Sequence, residues 1–212
     1  MSKPAPASGS APIRLLLADD QALVRGALAA LLDLEPDLSV VAEVASGDAV
    51  VAAAREHRPD VALLDVEMPG LDGIEATRAL KQALPGTRVL IVTTFGRPGY
   101  LRRALQAGAD GFVVKDTPAR QLADAVRRVR AGLRVVDPVL AADSLVAGDS
   151  PLTARETDVL RAARDGAPVA AVAGRLHLSE GTVRNHLSAA IGKTGSGNRA
   201  EACLVADRNG WL

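Results

Sequence analysis

From Ile13 to Arg130 the chain alternates short, unbroken apolar runs with longer stretches whose apolar residues recur every three or four positions. The runs are Ile13–Ala18 (IRLLLA), Ser39–Ala45 (SVVAEVA), Val61–Asp65 (VALLD), Arg88–Thr93 (RVLIVT) and Gly111–Val114 (GFVV). They lack the in-and-out alternation of a half-buried strand, so they predict strands buried on both faces. Between them the period lengthens to that of a helix, over Gln21–Asp33, Asp48–Glu56, about Gly73–Gln82, Pro98–Ala107 and Pro118–Arg130. Turn formers at Gly47, Pro59, Pro85-Gly86 and Gly108 mark the joins. Five βα units in series predict a parallel sheet with right-handed crossovers and helices on both faces.

The pattern lapses over Leu133–Ser150 (LRVVDPVLAADSLVAGDS), which has room for one short helix and reads as a linker. Beyond it the helical period returns, over Thr153–Asp165, Pro168–Leu176, Ser179–Thr194 and Asn198–Asn209. The expected organisation is therefore a disordered tail over 1–12, an α/β domain over 13–131, a linker over 132–150 and an all-α, four-helix domain over 151–212.

Composition narrows the class. Aromatics make up only 2% of the chain, so the core must be built from Ala, Val, Leu and Ile, which suits helices packed on a Val/Leu-rich sheet. No apolar run approaches the ~20 residues that span a bilayer, and Met1–Ala11 lacks the apolar centre of a signal peptide. The single cysteine, Cys203, excludes an internal disulfide framework and a multi-cysteine metal site. A cytoplasmic protein with no membrane partner is expected. Net charge is formally zero, but its distribution is uneven. Ile13–Arg130 carries 15 basic against 16 acidic residues and Ser150–Leu212 carries 8 against 6, a slight tilt toward a nucleic-acid partner for the C-terminal half.

In open α/β sheets ligands collect outside the carboxyl ends of the strands, and the polar residues of the first half gather there. Asp19 and Asp20 end the first run, Asp65 the third and Thr93 the fourth; Lys115 follows the fifth. Three converging carboxylates require positive charge among them, and a hard divalent cation such as Mg2+ suits oxygen-only ligation. The Lys115 ammonium and Thr93 hydroxyl would serve a tetrahedral anion attached to one carboxylate. Singly, each residue has an ordinary reading: Asp20 as a helix cap, Asp65 as the opening of a turn at Met68-Pro69-Gly70, Lys115 as a solvated lysine. Those readings do not explain five such residues at the ends of the right strands.

In the C-terminal half, Thr153 and Glu156 form a capping-box pattern, Gly166 suits a left-handed helix end, and Pro168 and Ser179 sit at helix starts. VAAVAGRLHLSEGTVRNHLSAAIGK thus reads as helix, tight turn, helix, with Val172, Leu176, Leu178, Val183, Leu187 and Ile191 as its apolar positions. A helix-turn-helix lays the start of its second helix in the DNA major groove. The polar residues there are Thr182, Arg184, Asn185, His186 and Ser188. Arg suits guanine and Asn suits adenine, while Lys193 and Arg199 are placed for phosphates. Pattern alone also allows a small helical bundle with a solvated polar face.

The strings ADD (18–20), DVEMPGLDG (65–73), TTF (93–95) and GFVVKD (111–116) resemble the receiver domains of response regulators, in order and spacing, from Ile13 to about Arg130. LTARETDVL, LHLSEGTVRNHL and IGKTGSGNRAEA resemble the LuxR-type helix-turn-helix output domain of the NarL/FixJ family, from about Pro151 to Leu212. TTFGRPGY and the closing Gly210-Trp211-Leu212 resemble its DesR-like subgroup. Ala171 departs from the acidic or polar residue common in the family at that place.

The resemblance implies a flavodoxin-like (βα)5 receiver whose Asp65 accepts a phosphoryl group from a sensor histidine kinase. It implies Mg2+ held by Asp19, Asp20, Asp65 and the main-chain carbonyl of Glu67, with Thr93 and Lys115 on the phosphoryl oxygens. Phe112 matches the aromatic that fills the space opened behind Thr93, with an ordinary core Phe as the alternative, and the bulk of Phe95, two residues beyond Thr93, is placed to obstruct attacking water and prolong the phosphorylated state. The second domain would bind a double-stranded DNA operator, with Arg184, Asn185 and Ser188 facing the bases. RNA polymerase is a further partner that such a regulator implies. No catalysis is expected beyond the chain's own aspartyl phosphorylation and dephosphorylation. A DNA-binding domain of such slight charge gains little from counterion release, so a phosphorylation-promoted homodimer is expected, with the first and fifth helices among the candidate faces. Three alternatives compete: an acceptor whose helical tail binds another protein, a haloacid-dehalogenase-like hydrolase, and a DNA binder that needs no phosphorylation. The second requires a DxD pair on the first strand, whereas the candidate nucleophile here lies on the third; the complete set of five residues argues against the last.

Overall fold

The structure, a computed structural model, describes residues 11–94, 98–146 and 150–212, so most of the expected tail lies outside the described residues. The five apolar runs are strands: β1 (Ile13–Ala18), β2 (Leu38–Val44), β3 (Val61–Leu64), β4 (Arg88–Thr93) and β5 (Gly111–Val114). The stretches between and after them are α1 (Ala22–Asp33), α2 (Gly47–His57), α3 (Gly73–Ala83), α4 (Pro98–Ala107) and α5 (Ala119–Arg130).

Successive strand residues point to opposite faces of a sheet, and here both faces are covered. Leu16, Ala18, Ala62, Leu64, Ile91 and Phe112 share one buried cluster with residues of α2, α3 and α4. Leu15, Leu17, Leu63, Leu90, Val92 and Val113 share the other with residues of α1 and α5. That double burial is why the runs show no alternation. All pairings are parallel, in the order β2-β1-β3-β4-β5, with a further strand at Val135–Val136 beside β5. The chain steps outward from β1 to β2 and then returns past β1 to β3, so the crevice above β1 and β3 is the topological switch point.

The sheet has six strands, not the expected five. The sixth, β6 (Val135–Val136), pairs parallel with β5, and α6 (Pro138–Val146) follows it. Both lie in the stretch read as a linker, and the first compact unit runs on to Ala141. Two residues are too few to show a period, so nothing local announces β6; the open edge of β5 creates it.

One face of α1 is covered and another is not. Ala29 and Leu32 are buried, but Leu23, Gly26, Ala27, Ala30, Leu31 and Leu34, spaced three or four apart, are exposed. Leu23 is 86% and Leu34 75% accessible. Only part of the apolar surface of this helix therefore covers the sheet.

The second unit is all helical: α7 (Ala154–Ala163), α8 (Val169–Leu176), α9 (Glu180–Thr194) and α10 (Arg199–Arg208). Thr153 and Glu156 make the reciprocal capping box expected of them. His177, in the left-handed region at φ 54°, ends α8, and the Ser179 hydroxyl accepts from the Thr182 N–H to start α9, so three residues turn one helix into the next. Val159, Leu160, Val172, Val183, Leu187 and Ala206 are among the buried core of this unit, with Leu176, Leu178 and Ile191 half-buried around it. No helix among the described residues is long and apolar enough to cross a membrane.

Leu16→Ala, at a fully buried position, is expected to cost the α/β unit about 2–5 kcal/mol through lost transfer energy and a residual cavity. Leu23→Ala on the bare face of α1 should stay within about 0.5 kcal/mol. Urea midpoints of the two variants check both.

Candidate functional site

Asp19 and Asp20 follow β1, Asp65 follows β3, Thr93 ends β4 and Lys115 follows β5, so the sheet brings all five to one edge. Carboxylate oxygens of Asp19, Asp20 and Asp65 lie within 4.8 Å of one another. Asp19, Asp65 and Thr93 are buried, whereas Asp20 is exposed. Asp20 does not cap α1: the N-cap residue is Gln21, whose side chain makes no capping bond. Asp19 instead accepts from the Gln21 N–H at 2.9 Å.

Lys115 is the only cation bonded to these carboxylates among the described residues. Its Nζ lies 2.7 Å from Asp19 Oδ2 and 2.7 Å from Asp65 Oδ2. Burial works to lower the Lys115 pKa, but the two carboxylates outweigh it and hold the ammonium above its ordinary value. Asp65 goes the opposite way for a carboxylate. Burial raises its pKa by more than the Lys115 hydrogen bond lowers it, and the Asp19 charge adds to the rise. Asp65 Oδ1 is buried and has no hydrogen-bond partner among the described residues. A buried, unpaired carboxylate oxygen is costly, and a site that tolerates one keeps it available to a ligand. Three carboxylates against one ammonium leave about two negative charges, and every donor atom is oxygen, the preference of Mg2+.

Local packing holds this geometry. Gly73 starts α3 against the main chain of Asp65: a Cβ there would lie 1.9 Å from the Asp65 carbonyl oxygen. The capping box of Asp72 and Glu75 anchors the same helix start. The Lys115 N–H donates to the Thr93 carbonyl at 2.8 Å, which locks the ends of β4 and β5 together. Phe112 is fully buried in β5 and pairs with Ile91 of β4. Glu67, whose carbonyl was the expected fourth metal ligand, is exposed in the loop two residues past Asp65. Phe95 lies outside the described residues.

In the helical unit, Gly181, Arg184, Asn185, Ser188, Ala189 and Gly192 form an exposed stripe along α9, opposite buried Val183, Leu187 and Ala190. Three of the expected base-facing residues, Arg184, Asn185 and Ser188, share that stripe; Thr182 and His186 are half-buried beside it. Glycine inside a helix costs up to about 1 kcal/mol relative to alanine. Nothing lies within 4 Å of a Cβ built on Gly192, so the fold itself does not demand it. A flat stripe flanked by longer polar side chains suits close approach to another surface. The Arg184 guanidinium is held by Glu180 at 2.6 Å, one turn earlier.

Lys193 and Arg199, the residues expected to meet phosphates, also bond within the unit. Lys193 Nζ donates to both carboxylate oxygens of Glu156, at 3.0 and 2.7 Å, and Arg199 donates to the carbonyls of Ala167 and Gly166 at 2.6 and 3.1 Å. Both cations are bound within their own unit. Glu156 is buried, and burial works to raise its pKa, yet Lys193 and the Thr153 bonds hold it below the ordinary value. No sequence pattern announces that pair, because its partners stand 37 residues apart.

Comparison with known proteins agrees with this division. The profile of the family described as "Response regulator receiver domain" matches residues 15–127, and that described as "Bacterial regulatory proteins, luxR family" matches 150–206. The chain is 41% identical over 200 residues to the transcriptional regulatory protein DesR of Bacillus subtilis, covering 94% of this chain and 99% of that one. It also resembles the crystal structure of the response regulator ChrA of a heme-sensing two-component system, with 35% identity and a TM-score of 0.59, covering 96% of this chain and 100% of ChrA. The structure of an RcsB–DNA complex shares the fold at a TM-score of 0.66 and 24% identity, covering 93% and 98% of the two chains.

Two stability effects follow. Asp65→Asn removes a carboxylate whose pKa the fold raises, and such a group destabilises the folded state above its unfolded pKa. The variant should therefore melt above wild type at neutral pH, by a margin that narrows as acid protonates Asp65. Lys193→Ala strands a buried carboxylate whose pKa the fold depresses, at a cost of about 1–3 kcal/mol. Wild type holds that advantage above the unfolded Glu pKa of about 4.3 and loses it as pH falls through the lower folded value. Melting curves at neutral and acid pH should show the variant's deficit shrinking in acid.

Proposed function

The chain belongs to the response regulators that join a receiver domain to a LuxR-type DNA-binding domain, and on that footing we propose that phosphorylation of Asp65 by a sensor histidine kinase controls its regulation of transcription. The observation that carries the reading is the state of Asp65: one oxygen is clamped by Lys115 at 2.7 Å and the other is buried without a partner among the described residues.

In this reading Asp65 Oδ1 attacks the phosphorus of a phosphohistidine. The new O–P bond forms as the N–P bond breaks, and the leaving imidazole nitrogen keeps the electron pair. Catalysis of such a step is positioning plus charge compensation. Asp19, Asp20 and Asp65, with the Glu67 carbonyl, would hold Mg2+, which when bound offsets charge on the transferring group. Lys115 already sits on Asp65, and Thr93, one strand away, supplies a hydroxyl for a second phosphoryl oxygen. The net change is transfer to the protein's own side chain, which makes Asp65 an acceptor in a regulator and not a turnover site.

Asn185 and Ser188, with Arg184 once released from Glu180, would read bases from the α9 stripe. A domain with two excess positive charges and two of its cations bound internally gains little from phosphates, so two copies on a two-fold operator are the economical arrangement. The bare face of α1, apolar from Leu23 to Leu34 and free of charge along its stripe, is the surface we assign to a second copy. The RcsB–DNA complex shows that a chain of this fold engages DNA. The cytoplasm, where kinase domain and DNA are both reached, is the compartment this requires.

Sedimentation of the full chain with Mg2+ and beryllofluoride, a phosphoryl mimic, tests the reading, with mimic binding followed by calorimetry. Wild type should become a dimer. Asp65→Asn should neither bind the mimic nor dimerise, and Leu23→Glu should bind it and remain a monomer. Mimic bound by Asp65→Asn as tightly as by wild type would refute the assignment of the site, and a Leu23→Glu dimer would refute the assignment of the surface.

A further inference from the structure

The segment between α5 and α6 is built into the sheet in a way that invites control. Gly132, at φ +85°, ends α5 and turns the chain toward the open edge of β5. There the Val135 N–H donates to the Asp110 carbonyl at 3.2 Å and the Asp137 N–H to the Phe112 carbonyl at 3.4 Å. These two bonds sit at or beyond the long end of the usual range. Gly111 makes the seat, since a Cβ on it would lie 2.9 Å from the Val135 carbonyl oxygen. Val135 is buried in the core layer shared with α5, and Leu140 in the layer on the other side of the sheet. The Asp137 carboxylate caps α6 by accepting from the Val139 and Leu140 N–H groups at 2.8 and 3.2 Å.

The other flank of β6 borders a groove open to solvent. A cavity of about 310 Å3, lined by Thr117, Gln121, Asp124 and Arg128 among others, opens between the strand and α5. A two-residue edge strand whose end bonds are long and whose flank borders a solvent-open groove belongs to the part of a fold that opens first.

The strand that β6 grips is the strand that carries the site. Phe112 bonds β6 through its carbonyl, and Lys115, three residues on, bonds Asp65 and the Thr93 carbonyl. Whatever is loaded onto Asp65 acts on Lys115 and Thr93, at one end of a four-residue strand whose other end holds β6.

We propose that β6 is a phosphorylation-sensitive latch, docked on β5 at Phe112 while Asp65 is unmodified and released when a phosphoryl group there draws Lys115 and Thr93 toward itself. Release frees, at its root, the chain that leads to the DNA-binding unit. The proposal rests on Asp65 being the phosphoryl acceptor. Linkage makes it reciprocal: if phosphoryl loading favours the released strand, weakening the strand must favour loading.

Hydrogen exchange on the full chain, read by mass spectrometry with and without Mg2+ and beryllofluoride, tests the latch, with mimic affinity measured in parallel. Exchange over 133–141 should accelerate about ten-fold on binding while α3 is unchanged. The double variant Val135→Ala, Val136→Ala should exchange fast over 133–141 without the mimic and bind it several-fold tighter than wild type. Should that variant fail to fold, Asp137→Ala, which strips the cap from α6 and leaves the sheet core intact, takes its place with the same expected tightening. Bound mimic with 133–141 unchanged or better protected overturns the proposal, as does a loosened variant that binds no tighter. Absence of mimic binding in wild type is the distinct outcome in which the acceptor reading fails and the latch falls with it.

Discussion

A single ammonium group organises the chemistry of this molecule. Lys115 reaches from the end of β5 across the edge of the sheet to bridge Asp19 and Asp65, which belong to two different strands. Without a cation between them, two buried carboxylates on neighbouring strands would repel, and one would take a proton. With it, Asp65 stays close to Asp19 and Asp20 and retains an oxygen that no described residue bonds. The demands on the surrounding fold follow from that contact. The β4 and β5 ends must stay in register, which the Lys115–Thr93 main-chain bond ensures. The start of α3 must come close enough to wall the site, which only the absence of a side chain at Gly73 permits.

The site is held at some expense to stability. Both the orphaned oxygen and the raised pKa of Asp65 mark a group that the folded state would rather see neutral or liganded. Binding that satisfies such a group stabilises the conformation that binds, so the strain is also the means by which occupancy of Asp65 can be felt elsewhere. The strands that meet at Lys115 lie close to both features: β5 has the site at its carboxyl end and β6 along its amino-terminal half.

The helical unit solves a separate problem with the same economy. α9 must be buried on one face and open on the other, and alternation of Val183, Leu187 and Ala190 with Arg184, Asn185 and Ser188 achieves both in one helix. The Glu156–Lys193 pair ties the start of α7 to the end of α9, and Arg199 ties α10 to the turn before α8. Lys193 and Arg199 thus help hold the unit together, and the polar stripe on α9 is left exposed.

Much of this was legible along the chain, because it depends on short-range order. Period and run length mark the five βα units and the four C-terminal helices, and capping residues such as Thr153 and Ser179 mark where helices begin. The spacing of Asp19, Asp20, Asp65, Thr93 and Lys115 points to one edge once the parallel order is assumed. What stayed hidden depends on partners far apart in sequence. The docking of β6 needs the open edge of β5 and the bare backbone of Gly111, and a two-residue strand has no period of its own. The commitment of Lys193 to Glu156, the division of α1 into a covered and a bare face, and the one oxygen of Asp65 left unpaired are likewise set by packing. Local patterning decides which elements form; the proximity of distant residues decides which side chains are spent on the fold and which remain for function.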